Sequence, residues 1–409
     1  EPSVVLWPLS ARSSTGLPFQ ADRLRNFLTD ERPVDVGFSL GVGRAALEHR
    51  GVVVGRSGVD LAAGLGAVAG GGGVSGRVVS GRTAVLFTGQ GAQWVGMGRE
   101  LADGFPVFGA ALGEVCAVFG SLLGGDLREV MFTDSGGVLD RTGWTQPALF
   151  AFEVALFRLA ESWGLRPDFV VGHSVGEVVA AYVSGVWSLS DACRVVAARG
   201  GLMEALPVGG VMLAVAASVD EVDLGGVDVA AVNGPRSVVV SGTEEQVAVL
   251  EASLGVKTRR LRVSHAFHSR LMDPMLVDYG RVLEQVAANP AGVPLVSTVT
   301  GGVASDEQLG SVAYWQGQVR GTVRFVDAVS TLSGLGVTRF VEIGPDSVLT
   351  AMVAECVDDT VAVALQRRDR DQVEAYATGM ARAWISGVDL DWAAIHPGGR
   401  QVDLPTYAF

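Results

Sequence analysis

The feature that most constrains this chain is the stretch from residue 169 to residue 183. Phe169-Val170-Val171 is an apolar run that reads as a buried strand, and Val178-Val179-Ala180-Ala181-Tyr182-Val183 reads as the start of a buried helix. Between them lies Gly172-His173-Ser174-Val175-Gly176, a G-x-S-x-G pattern. A serine in that pattern between strand and helix is the mark of a nucleophile elbow, a turn so tight that only glycine fits on either side. The helix N-terminus behind Ser174 leaves backbone N–H groups free and carries a partial positive charge, which suits an oxyanion. Taken alone, the pattern is equally compatible with a Gly-Ser turn that does no chemistry.

A strand feeding a helix in this way points to an α/β fold. At about 150 residues per domain, 409 residues make two or three domains. A chain that is 48% hydrophobic and 18% charged has a large core. The formal net charge of -13 argues against a nucleic-acid partner. Cys116, Cys193 and Cys356 are far apart and show neither metal nor disulfide spacing, so a reduced, cytoplasmic protein is expected. No signal peptide is seen at the start, and no apolar run reaches membrane-spanning length, so no membrane association is expected.

The chain divides by pattern. Residues 1–80 read as a small α/β unit, with strands near 4–9 and 50–54 and helices at 19–28, 34–47 and 57–68. Leu24, Phe27 and Leu28 fall on one face of the first helix, and Ala69-Gly70-Gly71-Gly72-Gly73 reads as a flexible linker. Residues 83–206 and 264–365 form the main unit. Residues 207–263 run strand, short polar segment, strand, strand, helix, strand, a ferredoxin-like order, and read as an insert. From residue 366 the core signal weakens, leaving one helix at 372–386 and an extended end.

Several loops of the main unit carry polar groups. The strand at 84–87 runs into Thr88-Gly89-Gln90-Gly91-Ala92-Gln93, which fits neither phosphate-binding glycine fingerprint but could lend an N–H to an oxyanion at Ser174. Gln146-Pro147 opens a long apolar helix, with Pro147 in its first turn. There Gln146 either faces a pocket or merely caps the helix. Arg199 lies on a helix at 191–206, where an arginine is usually solvated. His265-Ala266-Phe267-His268 follows the insert; two histidines without a third ligand do not make a metal site.

In order and spacing, Gly89-Gln90-Gly91-Ala92-Gln93, Gln146-Pro147-Ala148-Leu149-Phe150, Gly172-His173-Ser174-Val175-Gly176-Glu177, Arg199, His265-Ala266-Phe267-His268 and Glu342-Ile343-Gly344-Pro345 together resemble the acyltransferase domain of a modular type I polyketide synthase. The resemblance covers essentially the whole chain. Residues 1–80 resemble the linker that follows the ketosynthase, and Leu404-Pro405-Thr406-Tyr407-Ala408-Phe409 resembles the post-acyltransferase linker of residues 366–409. The fold it implies is an α/β-hydrolase-like large subdomain with an inserted ferredoxin-like small subdomain, preceded by a small α/β linker domain.

The resemblance also implies a Ser174–His268 dyad, with no third acid, because the family orients its histidine with a backbone carbonyl. The backbone N–H groups of Gln90 and Val175 would form the oxyanion hole. Arg199 would hold the free carboxylate of a malonyl-type acyl group, with Gln146, Phe267, His173 and His265 lining the substrate site. No cofactor and no metal are implied. The partners would be an acyl-CoA, an acyl carrier protein and the ketosynthase and other domains of the same synthase. Arg259, Arg260, Arg262 and Arg270 either contact CoA phosphates and the carrier protein or form an ordinary charged face.

Three residue choices resemble the malonyl-selective pattern: Phe267 beside the histidine, where a phenyl ring takes the space of a 2-methyl group, Val175 after the serine, and Arg141-Thr142-Gly143-Trp144-Thr145-Gln146. The alternatives are the same fold selecting methylmalonyl or another extender unit, and a serine acyl hydrolase. Arg199 discriminates against the hydrolase, because a neutral ester needs no buried cation.

Overall fold

The computed structural model describes residues 2–28, 31–134, 136–222 and 224–406; Tyr407, Ala408 and Phe409 of the expected C-terminal linker motif lie outside them. Three sheets organise these residues. The central one has five parallel strands in the spatial order Leu295–Val296, Phe169–Gly172, Arg82–Phe87, Val337–Ile343 and Val361–Ala364. Every residue of Phe169–Gly172 is buried, which explains the unbroken apolar run: a parallel strand covered on both faces has no polar side to show. The expected strand at 294–300 is paired over two residues only.

The register sets up the site. Phe87 pairs with Gly172, so the glycine-rich loop and the elbow leave neighbouring strands side by side, at the carboxyl end of the sheet. The long helix Thr142–Ser162 packs beneath them, its residues from Thr145 to Phe157 all buried. It begins at Thr142, earlier than Pro147 suggested, so Pro147 and Gln146 sit inside the helix. With no polar stripe on a helix buried all round, proline was the only start signal available, and it marked the wrong turn.

The small sheet is antiparallel, in the order Asp228–Gly234, Ser237–Thr243, Gly210–Val215, Thr258–Arg260. That is the ferredoxin-like order, but the first helix is reduced to one 3₁₀ turn, Val219–Glu221. The second, Glu244–Ser253, starts from a capping box of Thr243 and Gln246.

The N-terminal sheet pairs Val5–Ala11 with His49–Gly55, and His49–Gly55 with Val74–Arg77. The glycine run before Val74 is therefore a helix end and not a flexible linker. Gly72 N–H reaches Ala67 O at 2.8 Å and Gly71 N–H reaches Val68 O at 3.0 Å, with Gly71 at φ 81°, the left-handed stop that glycine favours. Leu24 is buried but Phe27 is 43% exposed, at the edge of the apolar face. The helix expected at 34–47 ends at Val42. The largest departure is at the C-terminus: Gln372–Ser386 buries Val373, Tyr376, Met380, Trp384 and Ile385, so the core does not fade there.

One buried acid ties the long helix Thr142–Ser162 to the start of the glycine-rich loop. Glu153 accepts from Thr88 Oγ1 through Oε1, and its Oε2 has no partner. Burial pushes its carboxyl well above the usual range against the opposing hydrogen bonds from Thr88, and Glu342 adds to the rise. A carboxyl raised by folding contributes fully below its unfolded value and loses that contribution as pH rises through its folded value. Glu153→Gln is therefore expected to melt with the wild type near about pH 5 and above it near about pH 9, by about 1–3 kcal/mol, in thermal melts across that range.

Candidate active site

Ser174 has φ 54° and ψ -117°, a conformation that costs a non-glycine residue about 1–3 kcal/mol. The surroundings leave it no alternative. A Cβ on Gly172 would lie 2.0 Å from the Gly176 carbonyl carbon, and one on Gly176 would lie 2.4 Å from Phe87 O. Gln318 Nε2 donates to Ser174 O at 2.7 Å. Glu177, in the next turn, accepts from Thr298 Oγ1 at 2.6 Å and from Tyr314 Oη, and Thr298 Oγ1 also reaches Gly172 O at 3.1 Å. Burial raises the Glu177 carboxyl, with those hydrogen bonds opposing.

His268 Nε2 lies 2.8 Å from Ser174 Oγ, and its Nδ1 lies 3.0 Å from Gly321 O. A carbonyl only accepts, so Nδ1 carries the proton and Nε2 is left to receive the serine hydroxyl. Burial, reinforced by Arg199 and His173, holds the ring down at about 3, against the hydrogen bond to Gly321. The ring is therefore neutral at physiological pH. Like Ser174, His268 has φ 54°.

Arg199 is 2% exposed and among the described residues has no carboxylate within ion-pair distance. Its Nη1 donates to Gln146 Oε1 at 2.7 Å and its Nη2 to Ser174 Oγ at 3.2 Å, while Nε has no partner. Burial lowers it to about 10, with Tyr279 and Glu177 opposing, so it remains a cation. Gln146 Nε2 donates to Thr142 Oγ1 at 2.9 Å, and Thr142 Oγ1 donates to Gln90 Oε1 at 3.0 Å.

The backbone N–H groups of Gln90 and Val175 have no protein acceptor among the described residues. Phe267 is buried, its ring 6.0 Å from that of His265. Two residues expected at the substrate site engage protein groups through their rings. His265 engages Ser264 Oγ at 2.8 Å within its own loop and Leu206 O at 3.0 Å, where the chain enters the small subdomain. His173 Nε2 donates to Asn233 Oδ1 at 2.9 Å, tying the elbow to the small sheet. Arg260 and Arg270 are held in ion pairs with Glu244, Glu251 and Asp228. Gln318, Gly321 and Asn233 carry no functional signal in the sequence, and Thr142 enters there only within the stretch Arg141-Thr142-Gly143-Trp144-Thr145-Gln146.

A parallel sheet whose elbow serine faces a neutral histidine and a buried arginine defines a class of α/β acyltransferase. A family model described as the acyl transferase domain matches residues 85–390, and one described as CurL-like, PKS C-terminal, matches residues 5–65. Polyketide synthase GfsA of Streptomyces halstedii is 47% identical over 99% of this chain, and the phenolphthiocerol synthesis polyketide synthase Pks15/1 of Mycobacterium marinum is 48% identical over 100% of it. The chain spans 6% and 20% of their lengths. The acyltransferase domain from the second module of the salinomycin polyketide synthase is 51% identical, with 99% of each chain covered and a TM-score of 0.82. A malonyl-transacylase solved with its type II acyl-carrier protein is 30% identical over 73% of this chain and 99% of its own, with a TM-score of 0.66. The chain belongs to the acyltransferase domains of polyketide synthases.

The arrangement makes a titration prediction. With its value lowered, the His268 ring should stay neutral from about pH 8 to about pH 5, whereas an ordinary histidine is half charged near about 6.5. Arg199→Ala removes a neighbouring positive charge and should move the His268 midpoint upward. Ring-selective NMR of both proteins checks this.

Proposed function

We propose that this domain transfers a malonyl unit from malonyl-CoA to the phosphopantetheine thiol of an acyl carrier protein, through an ester on Ser174. The observation that carries the reading is the buried Arg199 guanidinium, without an anionic partner among the described residues, 3.2 Å from the Ser174 hydroxyl. A neutral acyl chain gains nothing from such a cation. A free carboxylate at the far end of the acyl group pairs with it in bidentate fashion.

In this reading His268 Nε2 takes the proton as Ser174 Oγ attacks the thioester carbonyl. Charge on the carbonyl oxygen is met by the Gln90 and Val175 N–H groups. The tetrahedral intermediate collapses, the C–S bond breaks, and the proton passes from His268 to the CoA sulfur. The carrier protein's thiol repeats the sequence against the ester, losing its proton to His268 and restoring Ser174. The carboxylate displaces Ser174 Oγ from Arg199 Nη2, so engagement of the correct acyl group releases the nucleophile, while Gln146 keeps hold of Nη1. The relative captured with a carrier protein supports the choice of acceptor. Partnership with a ketosynthase and the other domains of a synthase follows from the long relatives, of which this chain matches a small part. No cofactor enters these steps.

Selection of malonyl over methylmalonyl is assigned to Phe267, the buried chain neighbour of His268. One methyl group in an apolar pocket is worth about 1–3 kcal/mol, which bounds the selectivity at roughly 10–200-fold.

Incubation with malonyl-CoA and methylmalonyl-CoA in competition, read by intact mass, is expected to give a malonyl adduct that Ser174→Ala abolishes. Free malonate without an adduct, and no transfer to a carrier protein, would turn the reading to a hydrolase. Arg199→Ala should lower the rate of malonyl adduct formation by about 100-fold, the loss expected for a buried charge-assisted pair, while acetyl-CoA is affected far less. Phe267→Ser should raise the methylmalonyl share of the adduct by about 10-fold or more; an unchanged ratio would remove Phe267 from the selection.

A further inference from the structure

Asp228–Gly234 lies at the edge of the small sheet, and the segment around Gly321–Val323 runs along its open side. Thr322 Oγ1 donates to Val229 O at 2.7 Å, Val323 N–H to Ala230 O at 2.9 Å, and Val232 N–H to Val323 O at 2.9 Å. Gly321, at the start of that stitched segment, is the residue whose carbonyl orients His268.

At the head of the strand, Asp228 accepts from the Arg270 backbone N–H and Nε at 3.0 Å each and from its Nη2 at 3.2 Å, and lies 3.7 Å from Arg320 Nη2. Arg270 follows His268 closely in the chain, and Arg320 immediately precedes Gly321. One carboxylate, 16% exposed, thus ties together both ends of the contact between His268 and Gly321. At the other end of the strand, Asn233 Oδ1 accepts from His173, the neighbour of Ser174.

We propose that this edge strand sets the geometry of the Ser174–His268 pair, with Asp228 and Asn233 as its positioning residues. The proposal rests on the reading of Ser174 and His268 as the reacting pair. Neither Asp228 nor Asn233 is placed against the acyl group. Their removal should misalign the base and leave acyl-CoA binding alone, an effect on rate and not on saturation.

Single-turnover acylation by malonyl-CoA, followed by intact mass, tests this in the full domain. Asp228→Asn is expected to slow the saturating rate by about 10-fold with the half-saturating concentration unchanged, and Asn233→Ala to act in the same direction. Asp228→Glu, which keeps the charge, should recover part of the rate. About 1 M salt should slow the wild type toward Asp228→Asn, because it screens partly exposed ion pairs. Glu221→Gln, which breaks the exposed pair with Arg236 in the same subdomain, should change nothing. If Asp228→Asn does not fold, Thr322→Val removes one of the stitches and takes its place.

His268→Ala runs beside these variants. If it abolishes acylation while Asp228→Asn (or its replacement) and Asn233→Ala acylate at the wild-type rate, the positioning role is wrong and the dyad stands. A raised half-saturating concentration at an unchanged saturating rate also overturns the positioning role. If His268→Ala acylates like the wild type, the dyad itself fails and the proposal falls with it.

Discussion

A buried guanidinium orients the chain of polar side chains that runs from Gln90 to His268. Arg199 can only donate, so Gln146 must turn Oε1 toward it, which leaves the Gln146 amide N–H to Thr142. Having accepted there, the Thr142 hydroxyl donates to Gln90 Oε1. On the other side Ser174 Oγ accepts from Arg199 and keeps its own proton for His268 Nε2, and the remaining imidazole proton points at Gly321 O. One direction of donation thus runs from the arginine both ways, with no group free to reverse. A buried cation without a counter-ion costs several kcal/mol, and the large apolar core around it is what tolerates that cost.

The groups in this network come from different bodies. Ser174 and Gln90 sit at the ends of adjacent parallel strands, locked in register through Phe87 and Gly172. Gln146 and Arg199 lie on two helices, Thr142–Ser162 and Leu189–Glu204, packed against each other. His268 comes from the stretch where the chain leaves the small sheet, and its orienting carbonyl from a segment laid along the same sheet. Ser174 and Gln90 are thus built into one sheet, while His268 is placed by the relation between two sheets. A single hydrogen bond of 2.8 Å reports that relation.

What the sequence made legible follows from which constraints are local. The elbow was readable because sterics demand Gly172 and Gly176 within five residues of one another, and the dyad and Arg199 entered through a motif set in which order and spacing carry the information. The small sheet was readable because hairpins and capping boxes are made by neighbours, as at Thr243 and Gln246. Gln318, Gly321 and Asn233 were not, since each matters through a partner more than fifty residues away. His265 and His173 carry a second role for the converse reason: a histidine beside a reactive residue looks functional in the sequence, and its hydrogen bonds to Leu206 O or to Asn233 join segments far apart in the chain. The C-terminal helix was undervalued because a helix buried on most sides shows no clear stripe.

That undervalued helix bears on the site. Gln372, its first residue, donates Nε2–H to Gly96 O at 3.1 Å and accepts from Gly98 N–H at 2.7 Å, fastening the turn that follows the glycine-rich loop. Arg368 Nη2 donates to Gln93 O at 3.0 Å within the loop itself. With Thr88 held by Glu153 at the loop's other end, Gln90 sits between two anchored points. The far end of the same helix meets the N-terminal sheet, where the buried Arg50 donates to Trp384 O at 2.7 Å and lies over its ring at 4.6 Å. Arg339 of the central sheet adds donors to Val79 O and Gly387 O, at 3.1 and 3.0 Å. The flanking segments are therefore continuous with the packing around the glycine-rich loop, and the terminal helix links the N-terminal sheet to the turn after that loop through side-chain-to-backbone hydrogen bonds at Arg50 and Gln372.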